Sequence, residues 1–132
     1  MKDIIYIIAI LLVAGCAGRA PQMTPAKNIV FEPNEENEYE LIIIDPGFDR
    51  WFSTNAKPVN FYSPQYYASK NRMYVASWNN LVAQTASRAN SPFTSYINYE
   101  SHIDYGLELN YKLYNYFRYV ESTVGRYYRF PS

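Results

Sequence analysis

The chain opens on an apolar run, Ile4 to Val13, in which Tyr6 is the only residue carrying a polar group. Ten residues of helix rise about 15 Å, half a bilayer's hydrocarbon core, so the run reads as the core of an export signal rather than a stable span. Polar sequence with Pro21, Pro25 and Pro33 follows, and residues 16–37 are predicted to be a flexible tether. Tyr39 to Ile44 is a short β-branched stretch ending at Asp45-Pro46-Gly47, the pattern of a strand running into a turn. Its continuous apolar end predicts cover on both faces. Phe48 to Phe52 is too short to classify, but its three aromatics suit the core or a helical turn under the sheet.

The helical period dominates the rest. Ser63-Pro64 is a helix start, the serine oxygen capping free amides and the proline sitting where no amide partner is needed. Tyr67, Tyr74, Val75, Trp78, Leu81, Val82, Thr85, Ala86 and Ala89 then recur on one face, predicting an amphipathic helix over residues 64–89 that Asn90-Ser91-Pro92 terminates. Tyr96 to Tyr99 suits a short strand. Residues 103–124 carry two patterns. At helical period, Gly106, Leu109, Leu113, Tyr116, Phe117, Val120 and Val124 form a face that stops at Gly125. At period two, Leu107, Leu109, Tyr111 and Leu113 alternate with Glu108, Asn110 and Lys112. The length of the segment and the absence of turn residues inside it favour helix. The basic, aromatic tail from Arg126 to Phe130 has room for a few residues of strand. The sum is a small single α+β domain over residues 38–132, with one long amphipathic helix, a second helix and a short β-sheet.

Composition sharpens this picture. Among 132 residues are fifteen tyrosines, and an aromatic fraction of 18% argues against disorder. Twelve bases balance twelve acids, which does not suit nucleic-acid binding. The balance is uneven along the chain. Residues 32–49 hold seven acids and no base, while residues 50–132 hold nine bases against four acids, so the two parts carry opposite charge.

The single cysteine, Cys16, excludes an intrachain disulfide and follows Leu12-Val13-Ala14-Gly15. That arrangement resembles the lipobox of bacterial lipoproteins, which implies removal of residues 1–15 and lipid attachment at Cys16 by diacylglycerol and a palmitate-type acyl chain. The residue types suit the chemistry: small side chains let a protease reach the backbone, and a thiolate is the nucleophile for a thioether. Residues 17–20, Ala-Gly-Arg-Ala, lack the acids that resemble inner-membrane retention or surface-export signals, so the periplasmic face of the outer membrane is the expected address. The stretches Tyr39 to Phe52, Lys70 to Asn79 and Ile103 to Tyr114 resemble a family of small uncharacterised lipoproteins, a domain of unknown function. The resemblance implies an envelope protein and supports helix over residues 103–120. It brings no assigned activity.

Candidate chemistry is sparse. Asp45 and Asp49 flank Pro-Gly-Phe and are the nearest approach to a carboxylate pair, although turn formation and capping are their simpler use. His102, the one histidine, stands two residues before Asp104, and Ser101 to Asp104 also fits a helix start. No glycine loop, zinc spacing or paired cysteines is present, and no metal or cofactor is expected. Exposed tyrosine offers apolar area with a hydrogen-bonding tip, suited to protein or sugar. Tyr114, Tyr119, Arg126, Tyr127 and Tyr128 are therefore the candidate binding residues. The expected function is a lipid-anchored, noncatalytic envelope module that touches the membrane through its anchor and binds an envelope protein or a surface polymer. A hydrolase built on the acids or His102 and Asp104 is one alternative, and an accessory subunit of an outer-membrane assembly is another.

Overall fold

The computed structural model describes residues 29–33, 39–85, 87–89, 91–125 and 128–132. Cys16 and the export segment lie outside them, as do Arg126 and Tyr127. Two antiparallel strands come first, β1 (Ile29–Pro33) and β2 (Tyr39–Ile43), with Phe31 opposite Leu41 and Pro33 opposite Tyr39. The tether assignment thus needs correcting at Ile29–Pro33, which is part of the folded unit. The proline is tolerated because it ends a strand of a two-stranded sheet. Cover on both faces is a second correction. Leu41 and Ile43 are buried while Glu40 is exposed, so β2 has one buried face as a half-covered antiparallel strand should.

The Asp45-Pro46-Gly47 signal is a helix start. Asp45 accepts hydrogen bonds from the amides of Gly47 (2.9 Å) and Phe48 (3.3 Å), and Pro46 needs no partner in the first turn of α1 (Pro46–Asn55). Phe48 is fully buried, its ring packed on Phe52, Tyr116 and Tyr119. A 3₁₀ turn at Val59–Phe61 leads into α2 (Pro64–Thr85), where the Ser63 hydroxyl accepts from the Tyr66 amide at 3.2 Å as its sequence predicts. Helix α2 is four residues shorter than expected. The Thr85 hydroxyl donates to the Leu81 carbonyl and meets Ser91 Oγ at 2.8 Å, and residues 87–89 form a turn instead.

No strand forms over Tyr96–Tyr99. The side chains of α2 take up the backbone groups that a partner strand would use: Asn79 accepts from the Ile97 amide (2.8 Å) and donates to its carbonyl (2.9 Å), and the Trp78 indole donates to the Ser95 carbonyl (2.9 Å). The chain turns at residues 101–103 and enters α3 (Gly106–Val124), so helix is the correct choice for that segment. Its start lies later than the Ser101 to Asp104 reading places it. Gly106 takes a positive φ of 77°, which a side chain would resist, and Asp104 accepts from its amide at 3.0 Å. Over residues 128–132 no strand is formed.

Helix α3 is the centre of the domain, packing against α2, α1, β2 and the 3₁₀ turn. Leu109, Leu113, Tyr116, Phe117, Val120 and Val124 are buried at the predicted helical spacing and meet Tyr74, Val75, Trp78 and Val82 of α2. The architecture is α+β.

Candidate functional site

A groove of about 710 Å³, a size ordinary for ligand sites, runs along the seam between α2 and α3. Its walls come from five places. Trp51 and Asn55 end α1, Lys57 and Tyr62 belong to the following loop, and Tyr67 and Tyr74 stand seven residues apart on α2. Helix α3 supplies Tyr111, Tyr114, Arg118 and Glu121, spaced three, four and three residues, which places them on one stripe. The tail closes the far side with Arg129 and Phe130.

The aromatic rings brace one another. Tyr67 meets Tyr111 and Tyr114 edge-on at centroid distances of 5.6 and 5.3 Å, and Tyr62 stacks on Tyr66 at 4.2 Å. Edge-on and offset contacts of this kind follow from the quadrupole of the rings and fix their orientation. The Tyr111 hydroxyl donates to the Lys57 carbonyl at 2.5 Å, tying the loop to α3. Glu121 holds the tail: one carboxylate oxygen accepts from the Phe130 amide at 2.7 Å and the other pairs with Arg118.

Burial governs the acid–base character of the site. It pushes the hydroxyls of Tyr67, Tyr74, Tyr111 and Tyr114 above the ordinary phenol range, Tyr74 and Tyr114 being partly restrained by the Arg118 charge. These phenols are therefore neutral hydrogen-bonding groups at physiological pH. Lys57 and Arg129 are exposed, and neither has a carboxylate partner among the described residues. The Lys57 ammonium instead lies 3.9 Å from the Phe61 ring centre.

The candidate catalytic residues do not converge. Asp45 caps α1, and the Tyr119 hydroxyl reaches it at 3.4 Å. Asp49 is exposed in the first turn of that helix. His102 is exposed beside Glu100 at 3.4 Å, and Asp104 holds the start of α3. Gly106 and Tyr119 are thirteen residues apart, about 20 Å of helix, so the Asp45 and Asp104 regions lie at opposite ends of α3. None of the four lines the groove. Among the described residues, no three His, Cys, Asp or Glu side chains gather as metal ligands would.

Of the candidate binding residues, Tyr114 lines the groove. Tyr119 does not, packing instead against Phe48 and Trp51. Tyr128 is half-buried against Phe93 and Phe130. Lys57, Tyr62, Tyr67, Tyr74 and Tyr111 also line the groove, outside the candidates named from sequence. The signal for part of this set was present in the stripe Tyr111, Tyr114, Arg118 and in the Tyr67 to Tyr74 heptad step.

The family comparison covers nearly the whole of this architecture. The chain belongs to the family of unknown function DUF6146, whose model matches residues 4–128. No curated protein and no solved structure matches it. The match spans the strands, all three helices and most of the groove lining, and it stops before Arg129, Phe130, Pro131 and Ser132. Among the described residues of this DUF6146 chain, no helix is long and apolar enough to cross a membrane.

Proposed function

We propose that this DUF6146 protein is a lipid-anchored, noncatalytic binding module of the cell envelope, held by Cys16 and working through its tyrosine-lined groove. The observation that carries the binding role is the contrast in burial. Tyr62, Tyr111 and Tyr114 stay half-exposed on an ordered wall, whereas Asp45 and Asp104 are committed to helix starts. A rigid aromatic surface binds with little loss of side-chain freedom.

The anchoring role rests on the run Ile4 to Val13 and on Val13-Ala14-Gly15-Cys16, both inside the segment that the family model matches. Two or three acyl chains, at about 0.8 kcal/mol per buried methylene, hold far more firmly than one. The periplasmic face of the outer membrane is the address this reading prefers.

Cys16→Ser is the direct test. The variant leaves the detergent phase or accumulates as an unprocessed precursor, as read by phase partition and mass spectrometry. An unchanged distribution with the mature mass refutes the anchor. Cross-linking in whole cells from a photoreactive residue at position 62 tests the binding role, and recovery of no reproducible partner of any kind refutes it.

A further inference from the structure

The chemistry of the groove walls narrows the ligand class. The apolar side chains that line the groove are aromatic, with one proline, and no Leu, Ile, Val, Met or Ala is among them. Aliphatic walls are what acyl chains and the apolar face of a helical peptide ordinarily fill, and the groove offers none; aromatic walls suit a proline-rich peptide or a sugar, and the cationic rim decides between them. Aromatic faces carry the negative lobe of the ring quadrupole and attract the weakly positive C–H groups of a sugar ring, while neutral phenols bond its hydroxyls.

Charge gives the second constraint. The charged side chains of the lining are Lys57, Arg118 and Arg129 against Glu121 alone. Both oxygens of Glu121 are engaged, one by Arg118 and one by the Phe130 amide. Lys57 and Arg129 at the rim are thus left to meet an anion, and a guanidinium matches a carboxylate in a two-pronged geometry.

We infer that the groove binds a short segment of an anionic polysaccharide, with sugar rings laid on the tyrosine faces and acidic groups met by Lys57 toward the Tyr111 end of the groove and by Arg129 toward the Glu121 end. This rests on the binding-module reading above and names its ligand.

The test uses the full mature chain in detergent micelles, titrated by calorimetry with tetragalacturonate, its fully methyl-esterified counterpart and a tetraglutamate peptide. The acidic tetrasaccharide binds saturably and more weakly as salt rises, since exposed charges are screened. The ester binds about tenfold more weakly, as does the acidic sugar to an Arg129→Gln protein. Tyr62→Leu keeps apolar bulk but removes the ring, and it weakens sugar binding by a similar factor. Trp51, on the groove wall, gives an independent fluorescence readout.

Absence of saturable sugar binding overturns the inference, as does equal affinity for the Arg129→Gln and parent proteins or tighter binding of the peptide. The position-62 cross-link separates this failure from failure of the broader reading. A reproducible protein partner with no sugar binding removes the saccharide and leaves the module, whereas no partner and no sugar binding remove both.

Discussion

A closed part and an open part of the α2–α3 seam are built from the same kinds of residue and do opposite things. In the closed part, Asn71 donates to the Asn110 backbone carbonyl (2.9 Å) and side-chain oxygen (3.0 Å), Tyr99 donates to that same side-chain oxygen (2.9 Å), and Trp78 is 1% exposed. In the open part, Tyr67, Tyr111 and Tyr114 line a groove with exposed cations at its rim. Amide and phenol groups serve both. What separates a structural use from a binding use is how much ring surface stays open: the Tyr111 hydroxyl is also spent, on the Lys57 carbonyl, but Tyr62, Tyr111 and Tyr114 keep half-exposed rings. In the closed network every donor has an acceptor, and one buried acceptor, Asn71 Oδ1, has no protein partner.

The largest expected effect lies in the closed part. Trp78→Ala removes a ring that meets Phe93 at 4.9 Å and an indole that donates to Ser95, and it costs about 3–5 kcal/mol of unfolding free energy in urea. A loss below about 1 kcal/mol would mean that the seam collapses around the missing ring and is not close-packed.

Trp78 also shows what the pattern of the chain makes legible. Its helical spacing with Tyr74, Val75 and Val82 places it in the core, and the face of α3 from Leu109 to Val124 is equally plain. Asn71 and Asn110 are not legible this way. Each is a polar residue at a buried position, and only the partner on the other helix makes that position tolerable. Ile97 failed as a strand for the same reason, since its backbone is bonded by the Asn79 side chain eighteen residues earlier. Tertiary hydrogen bonds from asparagine carry no local period. For the groove, the stripe on α3 was within reach, but its meeting with Lys57 and Tyr62 depends on how the 3₁₀ turn lays the loop against α3.

Asn110→Ala tests the network itself. It leaves the Asn71 amide with one partner and the Tyr99 hydroxyl with none, costing about 1–3 kcal/mol. Adding Asn71→Leu to Asn110→Leu costs less than the two single changes summed, because both ends of the pair are then apolar. Strict additivity in that double-mutant cycle would show that the two amides do not act as a unit.

Alkaline titration probes both parts at once. Burial raises the Tyr99 hydroxyl to about 12, with the Arg72 charge partly opposing, and it raises Tyr114 in the groove as well. Below the ordinary value of 10, folded and unfolded tyrosines are equally protonated and contribute no pH dependence. Above it the unfolded chain gives up protons first, so stability falls from about pH 10 until the folded hydroxyls titrate, for Tyr99 near 12. Urea unfolding between pH 7 and 11.5 checks this, with Tyr99→Phe reducing the alkaline slope. A parent protein as stable at pH 11.5 as at pH 9 would show solvated phenols.

The smallest effect is expected at the rim of the open part, and its smallness is the point. Lys57 and Arg129 are exposed and have no carboxylate partner among the described residues, so removing their charges breaks no ion pair there. Lys57→Gln and Arg129→Gln should each change unfolding free energy by no more than about 0.5 kcal/mol. The Lys57 contact with the Phe61 ring adds only a fraction of a kcal/mol at such an exposed site, within that bound. Two cations that stability does not need, placed beside ordered aromatic faces, are available for a ligand. A loss above about 1 kcal/mol from Arg129→Gln would place that side chain in the packing of the tail, and the open part would then be as structural as the closed one.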